Sequence, residues 1–168
     1  MSNADSHLSS MHILETQQNL PISLKEAWDF FSSPGNLKEI TPAHMSFEIT
    51  SGYKKGDKMY PGMIITYIVK PVLKISMNWV TEITHVQEPD YFVDEQRFGP
   101  YALWHHKHFF KEIEGGVQMT DIIHYKIPMG LIGKLANQLY IRNEIENIFK
   151  HRHHRLEELF GKWPDKKG

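Results

Sequence analysis

Residues 73–127 read LKISMNWVTEITHVQEPDYFVDEQRFGPYALWHHKHFFKEIEGGVQMTDIIHYKI. Apolar and polar side chains alternate through most of this stretch, the period of half-buried strands. Ile75, Met77, Trp79 and Ile83 share one face, with Lys74, Ser76, Asn78 and Glu82 on the other. The first set is expected inside. Breaks at Glu88-Pro89-Asp90, Gly99-Pro100 and Gly115-Gly116 divide the stretch into strands at about 73–86, 90–98, 102–113 and 117–127. Breaks this short imply hairpins and an antiparallel meander.

The connections also set the facing. A tight turn over Gln87 to Asp90 carries the inner face to Phe92, Asp94, Gln96 and Phe98. A two-residue Gly115-Gly116 turn sets Met119, Ile123, Tyr125 and Ile127 against Trp104, His106, His108 and Phe110. The two derivations agree when Phe98 lies opposite Ala102 across a Gly99-Pro100-Tyr101 loop. Pro100 argues against a tight primed turn there. Asp94 then lies opposite His106, and Gln96 opposite Trp104.

Upstream, the same period predicts strands at about 60–70 and 45–51, separated by Gly52 to Asp57. His12 to Leu20 reads as a further strand ending at Pro21. Ser23 and Glu26 form a capping-box pair, and the helix they open carries Leu24, Ala27, Trp28, Phe30 and Phe31. Pro34-Gly35 stops it, and a short second helix follows at about Asn36 to Ile40. Downstream, Gly130 and Gly133 open a long helical stretch in which Leu135, Leu139, Ile145, Phe149, Leu156 and Phe160 recur at helical spacing. Gly161 and Pro164 close it. The expected architecture is α+β, a helix-grip fold. A curved seven-stranded antiparallel sheet wraps the long C-terminal helix, with two short helices after the first strand. Residues 1–10 are expected to be a disordered terminus or expression remnant, 11–161 one ligand-binding domain, and 162–168 a tail.

Composition narrows the function. The 168 residues contain 19 basic and 20 acidic side chains and no cysteine. Near-neutral charge argues against a nucleic-acid partner. No apolar run is long enough to span a membrane, and no secretion signal is visible. A cysteine-free chain of this kind fits a reducing cytoplasm.

The stretch from Asp94 to His106, DEQRFGPYALWHH, resembles a motif of a bacterial branch of the START-like, Bet v 1-like superfamily, whose proteins are labelled SRPBCC or polyketide cyclase-like. Pro21, Glu26, Trp28 and Phe31 early, and His151 to Leu156 late, resemble the branch's other landmarks. The resemblance covers about residues 11–160. It implies a helix-grip domain with a deep cavity for a lipid, isoprenoid or quinone, or aromatic metabolite. It also admits cofactor-free cyclase, dehydratase or isomerase chemistry.

The residues expected to line that cavity are Met77, Trp79, Phe92, Asp94, Gln96, Phe98, Trp104, His106, His108, Tyr125, Leu135, Leu139 and Arg142. Arg142 is placed inward between Leu139 and Ile145, to meet a buried carboxylate or an acidic head group. An inner face with Asp94, Gln96, His106, His108, Asp121 and Tyr125 is polar for a core, and each such group left unpaired costs roughly 1–3 kcal/mol. Asp94 and His106 are the candidate acid–base pair. His106 and His108 point the same way and could share a metal with Asp94 or Asp121. No HExxH motif or cysteine pair supports that, so no metal or cofactor is assigned. His151-Arg152-His153-His154-Arg155 reads as a solvated helix face. A GxSxG elbow and a phosphate loop are both missing. A continuous cavity above about 300 Å³ would support a small-molecule function. A collapsed one with a large exposed apolar patch would favour a protein partner.

Overall fold

The computed structural model describes residues 11–51, 53–54, 56–70, 75–127 and 138–164. Strand β1 (Met11–Leu20) leads into helix α1 (Leu24–Phe31), then two 3-10 turns at Pro34–Ile40 and Ala43–Met45. Strands β2 (Glu48–Ile49), β3 (Met63–Val69), β4 (Met77–Gln87), β5 (Tyr91–Phe98), β6 (Leu103–Ile113) and β7 (Gly116–Lys126) follow, and helix α2 (Gln138–Phe160) ends the order. The seven strands form one sheet in the order β1-β7-β6-β5-β4-β3-β2. Every neighbouring pair is antiparallel. The expected helix-grip architecture is therefore present.

Local chemistry sets the elements. The Ser23 hydroxyl accepts the Glu26 amide, and the Glu26 carboxylate accepts the Ser23 amide, a complete capping box. Gly161, at φ 96°, ends α2 in the left-handed region and donates its amide to the Glu157 carbonyl. The expected strand at 45–51 shrinks to two residues, because Ser46 takes a left-handed φ of 49° and closes the preceding 3-10 turn. Ile75 lies before β4 and is exposed rather than inward.

Two core clusters join helices and sheet. In one, Ile141 and Ile145 of α2 meet Ile65, Trp79, Ile83, Ile123 and Tyr125 of the sheet. In the other, Leu156 meets Leu20, Trp28, Phe31, Phe110 and Val117. One face of α2 thus lies along the inner face of the sheet while α1 closes one end. The β4–β5 ladder is interrupted twice, between Val80 and Thr81 and between Ile83 and His85. Bulges of this kind add local twist and bend the strand. They also decide facing. Thr81 pairs with Gln96 and Val80 with Phe98, so Arg97 is the extra residue and Phe98 leaves the inner face. Phe98 is 65% exposed, against the expectation that it lines the cavity.

Candidate functional site

Strands β5, β6 and β7 carry the polar residues of the inner face. The β5–β6 register matches the one read from the turns in setting Asp94 opposite His106. On β7, Trp104 lies opposite Tyr125 and His108 opposite Asp121. The loop between β6 and β7 is Glu114-Gly115, one residue earlier than expected, since Ile113 pairs with Gly116. The β5–β6 ladder ends at Glu95–His105, so Gln96 does not pair with Trp104. Alternation then separates the histidines. His105 and Glu95 meet on the outer face at 2.8 Å, while His106 and His108 are buried.

Five side chains form one buried network. His106 Nε2 lies 2.9 Å from Asp121 Oδ1, and His108 Nε2 lies 2.7 Å from Asp94 Oδ2. His106 Nδ1 comes within 3.6 Å of the same Asp94 oxygen. His108 Nδ1 is 2.9 Å from Asp121 Oδ1 but off the hydrogen-bond direction, which leaves it without a proper partner among the described residues. Arg152 of α2 completes the network, with Nη1 3.6 Å from Asp121 Oδ1. Its guanidinium also lies over the rings of Phe31 and Phe149, at 5.4 and 5.6 Å.

The charges are settled by competition. Burial pushes the Asp121 carboxyl up, but the Arg152 charge and the histidine hydrogen bonds outweigh it and hold it well below the usual range. Asp94 is likewise pushed up by burial and drawn down further by His108, His106 and Arg152. His106 is lowered by burial and by the neighbouring His108, against the pull of both aspartates. Burial also opposes a charge on His108, yet its contacts with Asp121 and Asp94 raise it overall.

This network borders a cavity of about 170 Å³ between the sheet and α2. Of the expected residues, Trp79, Phe92, Asp94, Trp104, His106 and His108 line it. Phe92 stacks on His108 at 4.1 Å, and Trp104 stands edge-on to His106. The Trp79 indole Nε1 is buried without a hydrogen-bond partner among the described residues. A second space of about 340 Å³ lies between β1 and α2, bordered by Thr16, Gln18, Lys150 and His153. It is lined by Asp121 and Arg152 but not by Asp94, His106 or His108, which border the smaller cavity. That cavity falls below the expected threshold of about 300 Å³.

Other expectations are corrected. Gln96 spends its amide on the β5–β6 loop, donating to the Tyr101 carbonyl at 2.7 Å and accepting the Tyr101 amide. Tyr125 is buried but stacks on His12 at 5.1 Å, away from the cavity lining. Met77 is half-buried and also lies outside that lining. Arg142 is exposed and pairs with Glu146 one turn on. The inward stripe of α2 runs instead through Ile141, Ile145, Phe149, Arg152 and Leu156, which puts Arg142 one residue round the helix. Arg152, assigned to a solvated face, is 7% exposed. The signal for it was available, because Arg152 falls three residues after Phe149 and four before Leu156. Leu135, Gly130 and Gly133 lie outside the described residues, as does the side chain of Leu139. Tyr67, hydrogen-bonded to Thr81 at 2.6 Å, lines the cavity and was not anticipated.

No family model and no curated protein matches the chain. Solved structures do. Protein CV1439 from Chromobacterium violaceum superposes with a TM-score of 0.66 at 13% identity, over 91% of this chain and 99% of the other. A START superfamily protein from Mycobacterium smegmatis gives 0.57 at 13%, over 88% and 99%. The Bet v 1 allergen Ara h 8.0201 gives 0.58 at 13%, over 89% and 97%. At such identities the likeness is one of fold.

Proposed function

From the premise that this chain has the START-like, Bet v 1-like fold, we propose that it binds a small molecule of about one ring, with a polar substituent. The observation that carries this reading is the cavity of about 170 Å³, lined by Phe47, Tyr67, Trp79, Phe92 and Trp104 and ending on Asp94, His106 and His108. An apolar cavity of about 150 Å³ is known to hold benzene. A long acyl chain or a quinone tail exceeds such a volume and would have to extend beyond it. Among the expected ligand classes, an aromatic metabolite is therefore favoured over lipids and isoprenoids. The Trp79 N–H, without a partner among the described residues, offers a donor to a hydroxyl or carbonyl oxygen.

The test is quenching of tryptophan fluorescence. Saturable quenching by p-cresol is expected, with none by palmitate, and Trp79→Phe should weaken p-cresol binding severalfold. Binding of palmitate, with no saturable response to p-cresol, would reverse the assignment.

A second reading is proton transfer on the same guest by Asp94 and His106. The observation favouring it is that both line the cavity and approach to 3.6 Å. Asp94→Asn and His106→Gln should then each reduce turnover about a hundredfold or more, while a binder would lose only modest affinity.

A further inference from the structure

We propose that Asp94, His106 and His108 bind a first-row divalent transition-metal cation. One donor atom from each residue lies within 4.8 Å of the other two. Donors about 2.0–2.2 Å from a tetrahedral or octahedral ion stand roughly 2.8–3.6 Å apart, so side-chain rotations need to draw the widest pair in by about 1–2 Å. The three residues sit on paired strands, β5 and β6, and His106 and His108 are two residues apart on one face. The donors are therefore fixed by the sheet before an ion arrives.

The outer contacts support the same reading. His106 Nε2 is held by Asp121 at 2.9 Å, which leaves Nδ1 turned toward Asp94. A ligating imidazole whose other nitrogen is held by a carboxylate is the usual arrangement around protein-bound metals. His108 turns Nε2 toward Asp94 and Nδ1 toward the same Asp121 oxygen. Asp121 thus backs His106 by a hydrogen bond and lies beside His108 without one, and Arg152 offsets its charge. Two histidines and one carboxylate, with the remaining positions open, suit Zn²⁺, Co²⁺ or Fe²⁺. All three donors border the aromatic cavity, so the open positions face the space where a guest would lie. No contiguous motif marks the site, because its donors come from two strands joined by a loop.

The experiment is titration of EDTA-stripped protein with Co²⁺, followed by visible d–d absorption. One equivalent per chain is expected to saturate the signal. Asp94→Asn and His108→Ala should abolish the bands. Asp121→Asn, which removes only the outer partner, should weaken binding by about 10–100-fold. A His153→Ala/His154→Ala double variant, altering two exposed imidazoles on α2, should titrate like the wild type. Circular dichroism of each variant reports folding. The inference is overturned if the wild type shows no one-equivalent saturation. It is equally overturned if folded Asp94→Asn keeps the bands while the α2 double variant loses them. p-Cresol quenching of the stripped protein tests ring binding without any metal, so either reading can fail alone.

Discussion

Arg152 shows how much one side chain can hold. Its guanidinium lies 3.6 Å from the fully buried Asp121 and over two aromatic rings. Removing it strands a carboxylate in the interior. Arg152→Ala should cost about 3–5 kcal/mol in urea unfolding, and a loss under about 1 kcal/mol would contradict the pairing. Tyr67 and Tyr101 give a second test. Burial pushes both phenols far above their ordinary range, with Asp94 adding to the effect at Tyr67 and Tyr125 at Tyr101. The unfolded phenol ionises near about pH 10. A group whose folded pKa is raised contributes stability that is complete below the unfolded pKa and falls as pH rises above it. Stability should therefore decline above about pH 10. Absorbance at 295 nm should show fewer than the full seven tyrosines ionised until circular dichroism reports unfolding. Ionisation of all seven in folded protein would refute the burial argument. Neither Arg152 nor Tyr67 was identified as a cavity residue from sequence, because charge run and strand parity describe a residue's own element and not what lies across from it.

At the scale of elements, close approach matters as much as pattern. A Cβ on Gly116 would meet the Leu20 carbonyl oxygen at 2.1 Å and the Trp163 ring at 2.8 Å. Backbone cannot yield as a flexible side chain can. Gly116→Ala should destabilise by about 1–3 kcal/mol, read as a lowered Tm, and an unchanged Tm would show that β1 and β7 can separate at no cost. Hairpins, the capping box and the opposition of Asp94 and His106 were all legible, since each follows from spacing over a few residues. The bulges were not. Strict alternation sends Phe98 inward, and an extra residue at Arg97 sends it out. Beside the bulge, Gln96 ties down the following loop through both backbone groups of Tyr101.

For the molecule as a whole, the decisive quantity is the gap between sheet and helix. Ile145 reaches into it from α2, where it is 1% exposed. Ile145→Ala should cost about 2–5 kcal/mol and enlarge the cavity. The variant should then bind a two-ring probe such as 2-naphthol that the wild type excludes, measured by the same fluorescence quenching. Equal exclusion by both proteins would mean that Ile145 does not limit the guest.

Seven strands, their antiparallel order, the long closing helix and the facing of the two inner histidines follow from the chain read residue by residue, because strand and helix periods are local properties of the backbone. The cavity's small volume, the division of hydrogen bonds in which Asp94 holds His108 while Asp121 holds His106, and the burial of Arg152 do not. Each depends on the distance between surfaces far apart in the chain, and that distance comes from strand bulges and helix placement summed over the entire fold.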